Sequence, residues 1–328
     1  MTTEDAARAD ALARLQELTG SLQRSRIAPA IDVIAREDLG AVEAVTIRYA
    51  VESGVEVPAY LLLPRGIAEA RPCVALHQTT IPASLGKREP AGVGGLPNMA
   101  YGVEMARRGA VVVCPDYPKF GEYDADLEEI YGWKSYGSVS MKGIANHIAA
   151  IDLLGAVFGR PLDSVIAIGH SLGGTNAILL GCFDPRVGCV VSSCGFSSFS
   201  SYAAASQSKD LTGWARREKY MPLIREKFDL DPENLPIEFG EILGLVAPRA
   251  LFLNIARRDD VFDFDGATQE LERARPIFEA RGAAGNLATA TPDAGHDFPT
   301  AAREAAYAFA ERHCPPLAYS GPQLETLR

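Results

Sequence analysis

The chain has 328 residues, 47% of them hydrophobic and 23% charged, with a net charge of −10. That is enough for one large α/β core or two modest domains, and the scattered Lys and Arg form no basic stripe that would point to nucleic acid. No run approaches the ~20 apolar residues that span a bilayer, and residues 1–26 lack a basic segment followed by an apolar one. A cytoplasmic protein is expected, with no nucleic-acid or membrane partner. The sequence leaves the oligomeric state open, a homodimer included.

In chain order, Glu4 to Leu22 carries Leu12, Leu15, Leu18 and Leu22 at helical spacing, which makes residues 1–40 an N-terminal helical extension. Val45 to Val51 and Val55 to Pro64 alternate about Glu52-Ser53-Gly54 as a hairpin. Pro72 to His77, Ala110 to Pro115, Ser164 to Ile168, Val187 to Ser192 and Arg249 to Ile255 are short, fully apolar runs, as expected of strands buried on both faces of a parallel sheet. Helical segments separate them: Asn98 to Arg108, Ser138 to Phe158, Leu172 to Cys182 and Gly266 to Arg281. A last strand at Leu287 to Thr291 and a last helix at Thr300 to His313 close the domain. The fold class is α/β, a doubly wound, mostly parallel sheet with an antiparallel N-terminal hairpin. The main domain covers 41–314, and a polar tail at 315–328 is expected to pack loosely. Two stretches interrupt the pattern: a Gly/Pro-rich loop, Gln78 to Pro97, and an insertion at 196–244 that suits a helical lid.

The motif Gly169-His170-Ser171-Leu172-Gly173 lies where an apolar strand gives way to a helix. Flanking glycines permit a turn sharp enough to lift the serine hydroxyl clear of the backbone. In an open parallel sheet, ligands bind beyond the carboxyl ends of the strands. His77, Ser171, the pair Asp259 and Asp260, and His296 all follow strands. A serine needs an imidazole to take its proton, and the imidazole needs a carboxylate to fix its tautomer. Ser171, His296 and either Asp259 or Asp260 can supply that set. The oxyanion needs two N–H donors; Leu172 offers one, and Thr79 or Gln78 the other.

Gly169-His170-Ser171-Leu172-Gly173-Gly174, Arg258-Asp259-Asp260-Val261 and Gly295-His296-Asp297-Phe298-Pro299 resemble motifs of the α/β-hydrolase superfamily, whose chain order is also Ser, Asp, His. The closer likeness is to its dienelactone hydrolase, acetyl xylan esterase and prolyl oligopeptidase-type branch, over about residues 45–313. Leu76-His77-Gln78-Thr79-Thr80, Gly86-Lys87-Arg88-Glu89, Pro115-Asp116-Tyr117-Pro118 and Ala247-Pro248-Arg249 add to it. The resemblance implies Ser171 as nucleophile, His296 as base and Asp259, the first of the pair, as acid. It departs at Gln78, where many relatives have glycine, and it lacks the oligopeptidases' β-propeller. The activity implied is hydrolysis of a small carboxylic ester through an acyl-enzyme, with no cofactor. Thioesterase, acyltransferase or small-peptide hydrolase chemistry on the same residues, and a non-catalytic ligand-binding role, stay open.

The remaining polar residues have plainer readings. His170 packs beside the elbow; His77 lines the pocket or braces the oxyanion turn. His147 and His313 are expected in solvated or capping positions. Asp116 braces loops, and Lys87, Arg88 and Glu89 read as a solvated charge cluster. Trp214 and Tyr220 are pocket walls or lid packing. Asp263 and Asp265 lack a calcium-loop pattern. Cys73, Cys114, Cys182, Cys189, Cys194 and Cys314 sit in apolar runs without zinc-site spacing and read as buried free thiols. No metal is expected.

Overall fold

The computed structural model describes residues 3–23, 27–77, 83–132, 134–322 and 324–327. The chain begins with α1 (Thr3–Thr19), β1 (Ile31–Asp38), β2 (Val42–Glu52), β3 (Val55–Pro64) and β4 (Glu69–Leu76). Next come α2 (Tyr101–Arg107), β5 (Ala110–Pro115), α3 (Leu127–Tyr131), α4 (Val139–Val157) and β6 (Val165–His170). They are followed by α5 (Leu172–Phe183), β7 (Val187–Ser193), α6 (Phe199–Ala205), α7 (Leu223–Phe228) and α8 (Phe239–Gly244). The chain closes with β8 (Ala250–Asn254), α9 (Phe264–Ala280), β9 (Leu287–Ala290), α10 (Thr300–His313) and β10 (Leu317–Ala318).

The sheet runs β1-β2-β3-β5-β4-β6-β7-β8-β9. Pairs from β1 to β5 across β2 and β3 are antiparallel; β5-β4-β6-β7-β8-β9 are parallel. Successive side chains of a strand point to opposite faces, and the parallel strands feed two cores accordingly. Val74, Val111, Val113, Ala167, Val190 and Leu251 join a core with α4, α5 and α9; Cys73, Val112, Ile166, Ile168, Val191 and Phe252 join another with α2 and α10. Burial of each Val, Leu, Ile or Phe contributes roughly 1.5–3 kcal/mol before entropy is set against it, which is why these runs read as uninterrupted apolar strings.

Two expectations need correction. Residues 1–40 are not all helical: Ile31–Asp38 is an antiparallel edge strand whose far half is exposed, so little apolar alternation marks it. α1 braces the insertion at 196–244, where Arg14 donates to the Pro236 carbonyl (2.8 Å) and to Glu241 (2.6 Å). The tail does not pack loosely: β10 pairs with β4, Tyr319 stacks on Phe158 (5.2 Å) and Leu324 is buried. All six cysteines are free and buried. Among the described residues, no helix is long and apolar enough to cross a membrane.

The insertion holds α6, α7 and α8, and Trp214 lies buried at its centre. Its ring meets Phe199, Tyr202, Tyr220, Phe239 and Phe262 at centroid separations of 5.1–5.9 Å. Glu238 ties two of these helices together, because its carboxylate accepts from the amides of Phe239 (2.7 Å) and Phe199 (3.0 Å). Burial, with Glu270's charge adding, pushes Glu238 from 4.5 up to about 7 although both amides oppose the shift. The folded state therefore holds this proton more tightly than the unfolded chain. Stability is lost as pH rises from about 4.5 to about 7. Glu238→Gln keeps an oxygen for both amides and should flatten that slope; thermal midpoints measured from pH 4 to 8 check it, and parallel curves for the two proteins would count against it.

Candidate active site

Five adjacent strands, β4, β6, β7, β8 and β9, end on one rim. Their ends carry His77, Ser171, Cys194, Asp259 and His296. The register puts His170, Ser193, Asn254 and Ala290 in one row across the sheet. Ser171 comes directly after that row, as the N-cap of α5, with φ 53° and ψ −121°. A non-glycine residue there costs about 1–3 kcal/mol, and packing on both sides holds it. The Ser171 amide donates to the Ser193 carbonyl (2.8 Å). The motif glycines have a steric reason: a Cβ on Gly173 would collide with the carbonyls of His77 and Leu76, and one on Gly169 with Gly173. Leu172, buried, opens α5, so its amide is one of the helix's first N–H groups, which lack an intrahelical acceptor.

His296 presents Nδ1 to both carboxylate oxygens of Asp259, each at 2.9 Å. The Asp259 side chain is 2% exposed and that of His296 18%. Asp259 Oδ1 also accepts from the amides of Val261 (2.8 Å) and Phe262 (3.0 Å). Burial alone would raise this carboxyl; the hydrogen bond and charge of His296, with the two amides, outweigh it and hold it below its ordinary value. Asp260 points away into solvent. No hydrogen bond joins Ser171 Oγ to His296 among the described residues; such contacts commonly tighten when substrate binds.

Sequence reasoning missed the layer beneath. Asn254 Nδ2 donates to Ser193 Oγ (2.8 Å) and to the carbonyl of Asp297 (3.0 Å), the residue after His296. Ser193 Oγ also lies 2.8 Å from His170 Nδ1, within hydrogen-bond distance. The His170 ring lies 4.7 Å from that of His296. Burial, with His296's charge adding, holds His170 well below the usual histidine range, so it stays neutral beside the second imidazole. No sequence signal marks this row, because it is set by strand register.

Cys194 was read only as a buried thiol. With Asp259 and His296 it forms a group whose ligand atoms lie within 4.8 Å of one another. These are the described residues that could hold a metal. Burial and the Asp259 charge push the Cys194 thiol up, however, and a protonated thiol is a poor ligand.

The other readings divide. His77 is buried against Phe120 (5.0 Å) and Tyr117 (5.7 Å). Trp214 is buried among the rings of the 196–244 insertion, whereas Tyr220, half-buried, joins Phe120 and Leu172 beside the elbow. Gln78 and Thr79 lie outside the described residues. Asp116 braces loops, accepting from the amides of Lys87 (2.7 Å) and Glu122 (2.9 Å). Of the expected solvated charge cluster only Arg88 is exposed; Lys87 is 1% and Glu89 0% exposed. Lys87 Nζ pairs with Asp116 (2.9 Å) and Glu122 (3.1 Å), and Glu89 accepts from the Leu96 amide (3.1 Å). His147 is not solvated either, because α4 is buried along most of its circumference; burial brings this histidine down to about 3. His313 Nδ1 meets the Phe309 carbonyl (2.9 Å) in the last turn of α10.

A strand-end serine on a strained turn, with a carboxylate–imidazole pair two and three strands away, defines a nucleophile-elbow hydrolase architecture. The alpha/beta hydrolase family model matches residues 95–312, and the chain belongs to that family. A search of the curated proteins finds no match. Solved structures of similar fold include the glucuronoyl esterase from Solibacter usitatus, with TM-score 0.71, 16% identity, and coverage of 93% of this chain and 91% of that one. A carbohydrate esterase family 15 glucuronoyl esterase from Caldicellulosiruptor kristjansonii has TM-score 0.68, 18% identity and coverage of 95% and 86%. The acetyl xylan esterase from Paenibacillus sp. R4 has TM-score 0.61, 16% identity and coverage of 94% and 93%.

Proposed function

We propose that the protein is a serine hydrolase that cleaves carboxylic esters through an acyl-enzyme. The observation that carries this reading is the His296 Nδ1–Asp259 pair at 2.9 Å, on the same rim as a serine held at φ 53°. With Nδ1 committed to Asp259, Nε2 of His296 is the basic nitrogen. It takes the proton as Ser171 Oγ attacks the ester carbonyl, and Asp259 stabilises the imidazolium that forms. The oxyanion is received by the Leu172 amide. His296 returns the proton to the departing alkoxide, leaving acyl-Ser171. Water, deprotonated by His296, then attacks the acyl group and Ser171 leaves as the free hydroxyl. Similarity in fold to glucuronoyl and acetyl xylan esterases favours an oxyester over a thioester or amide.

Turnover of p-nitrophenyl acetate tests the reading. Ser171→Ala should lower kcat by on the order of 10⁵-fold or more, with the fold retained by circular dichroism. Undiminished turnover by that variant would remove Ser171 from the chemistry.

A further inference from the structure

Aromatic rings run in series from one side of Ser171 to the other. His77, at the end of β4, stacks on Phe120 (5.0 Å). Tyr220 meets Trp214 (5.1 Å), Trp214 meets Phe262 (5.9 Å), and Phe262 meets His296 (6.0 Å). The gap between Phe120 and Tyr220 is spanned by one cation: Lys219 Nζ stands 6.0 Å from the Phe120 centroid and 5.2 Å from that of Tyr220. Tyr117 fixes its backbone by donating to the Lys219 carbonyl (2.9 Å). Both Phe120 and Tyr220 pack with Leu172, the residue after the nucleophile. Lys219 therefore stands against the two rings that pack on the residue after Ser171.

Its charge is handled unlike that of the other sequestered lysines. Lys87 has Asp116 and Glu122, Lys134 has Glu52 and Glu129, and Lys142 has Glu52. Arg186 has Asp152 and Asp184, and Arg303 has Glu104. Lys219 is half-buried, yet no carboxylate pairs with its Nζ among the described residues. Arg217, nearby, is taken by Glu128 (3.0 Å) and by the Tyr131 ring (4.5 Å). Burial and the charge of Arg216, opposed by Glu218, bring Lys219 down to about 8. Ring faces offset part of the cost of withdrawing an ammonium from water; an anion offsets more. On a chain of net charge −10, such a cation beside the residues packed on Leu172 would draw an anion there.

We propose that Lys219 is a specificity-determining residue that receives a carboxylate carried by the substrate, so that the preferred substrates are esters bearing a free carboxylate away from the scissile bond. This rests on the hydrolase reading above. The carboxylate enters beside Phe120 and Tyr220, pairs with the ammonium, and uses that contact to orient the ester over Ser171.

The test compares kcat/KM for charged and neutral partners of the same skeleton at pH 7. Monomethyl adipate against dimethyl adipate places the charge on the acyl side; 4-acetoxybutyrate against its methyl ester places it on the alcohol side. In one of the two pairs the wild-type protein should favour the anion by about ten-fold, the size of one charge-assisted contact. Lys219→Met should abolish that ratio, and Lys219→Arg should keep most of it. A ratio does not depend on how much of a variant is folded. A wild-type protein with no preference in either pair, or a preference that persists in Lys219→Met, overturns the proposal. Failure to hydrolyse any ester, p-nitrophenyl acetate included, would instead remove the hydrolase reading itself.

Discussion

Asp259→Asn should lower kcat by on the order of 10⁴-fold, while Asp260→Asn should change it by no more than about two-fold. The size follows from where the atoms are. Asp259 Oδ1 accepts from the amides of Val261 and Phe262. An asparagine would keep its oxygen on those amides and turn its NH₂ toward His296 Nδ1. That nitrogen would then have to accept, which moves the imidazole proton to Nε2, the atom that must be free to take the serine proton. The charge that stabilises the imidazolium is lost at the same time. Asp260, exposed, has no such contact. Steady-state kinetics on the two variants separates the neighbours, and a large loss at Asp260 with little at Asp259 would reverse the assignment.

Lys87→Met should cost about 3–5 kcal/mol of folding stability. The ammonium lies with Asp116 in a site closed to water, and the side chains are 1% and 0% exposed. Methionine fills the space but leaves the Asp116 carboxylate with only the Lys87 and Glu122 amides as donors. Removing one partner of a buried pair strands the other charge, whereas removing both is far milder. The double variant Lys87→Met/Asp116→Asn should therefore recover a good part of the loss. Denaturant midpoints at neutral pH check this; equal losses in the single and double variants would mean that packing, and not the stranded charge, sets the cost.

What the sequence made legible follows from what controls each element. The parallel strands and α5 announce themselves because burial on both faces, or along nearly the whole of a helix, leaves mostly apolar strings. The rim was legible because Ser171, Asp259 and His296 each follow such a string. Choosing Asp259 over Asp260 needed the resemblance, since a one-residue step along a loop carries no periodic signal. Lys87 and Glu89 were opaque for a different reason. Charged side chains go to solvent by default, and Asp116, contributed by another strand end, with Glu122, reverses that for Lys87. His147 was misplaced because one histidine on a helix does not tell which side faces the sheet. Edge strand β1 escaped notice because its outer half, Glu37 included, is exposed. The His170–Ser193–Asn254 row is a product of register, which three separate strings cannot state.

The most direct test of the central claim is covalent trapping. A fluorophosphonate phosphonylates only an activated nucleophile, and peptide mass spectrometry locates the adduct. The expected result is one adduct, on Ser171, absent in Ser171→Ala and formed far more slowly in Asp259→Asn. An adduct on another residue, or none on the folded wild-type protein, would contradict the assignment of Ser171 as the nucleophile.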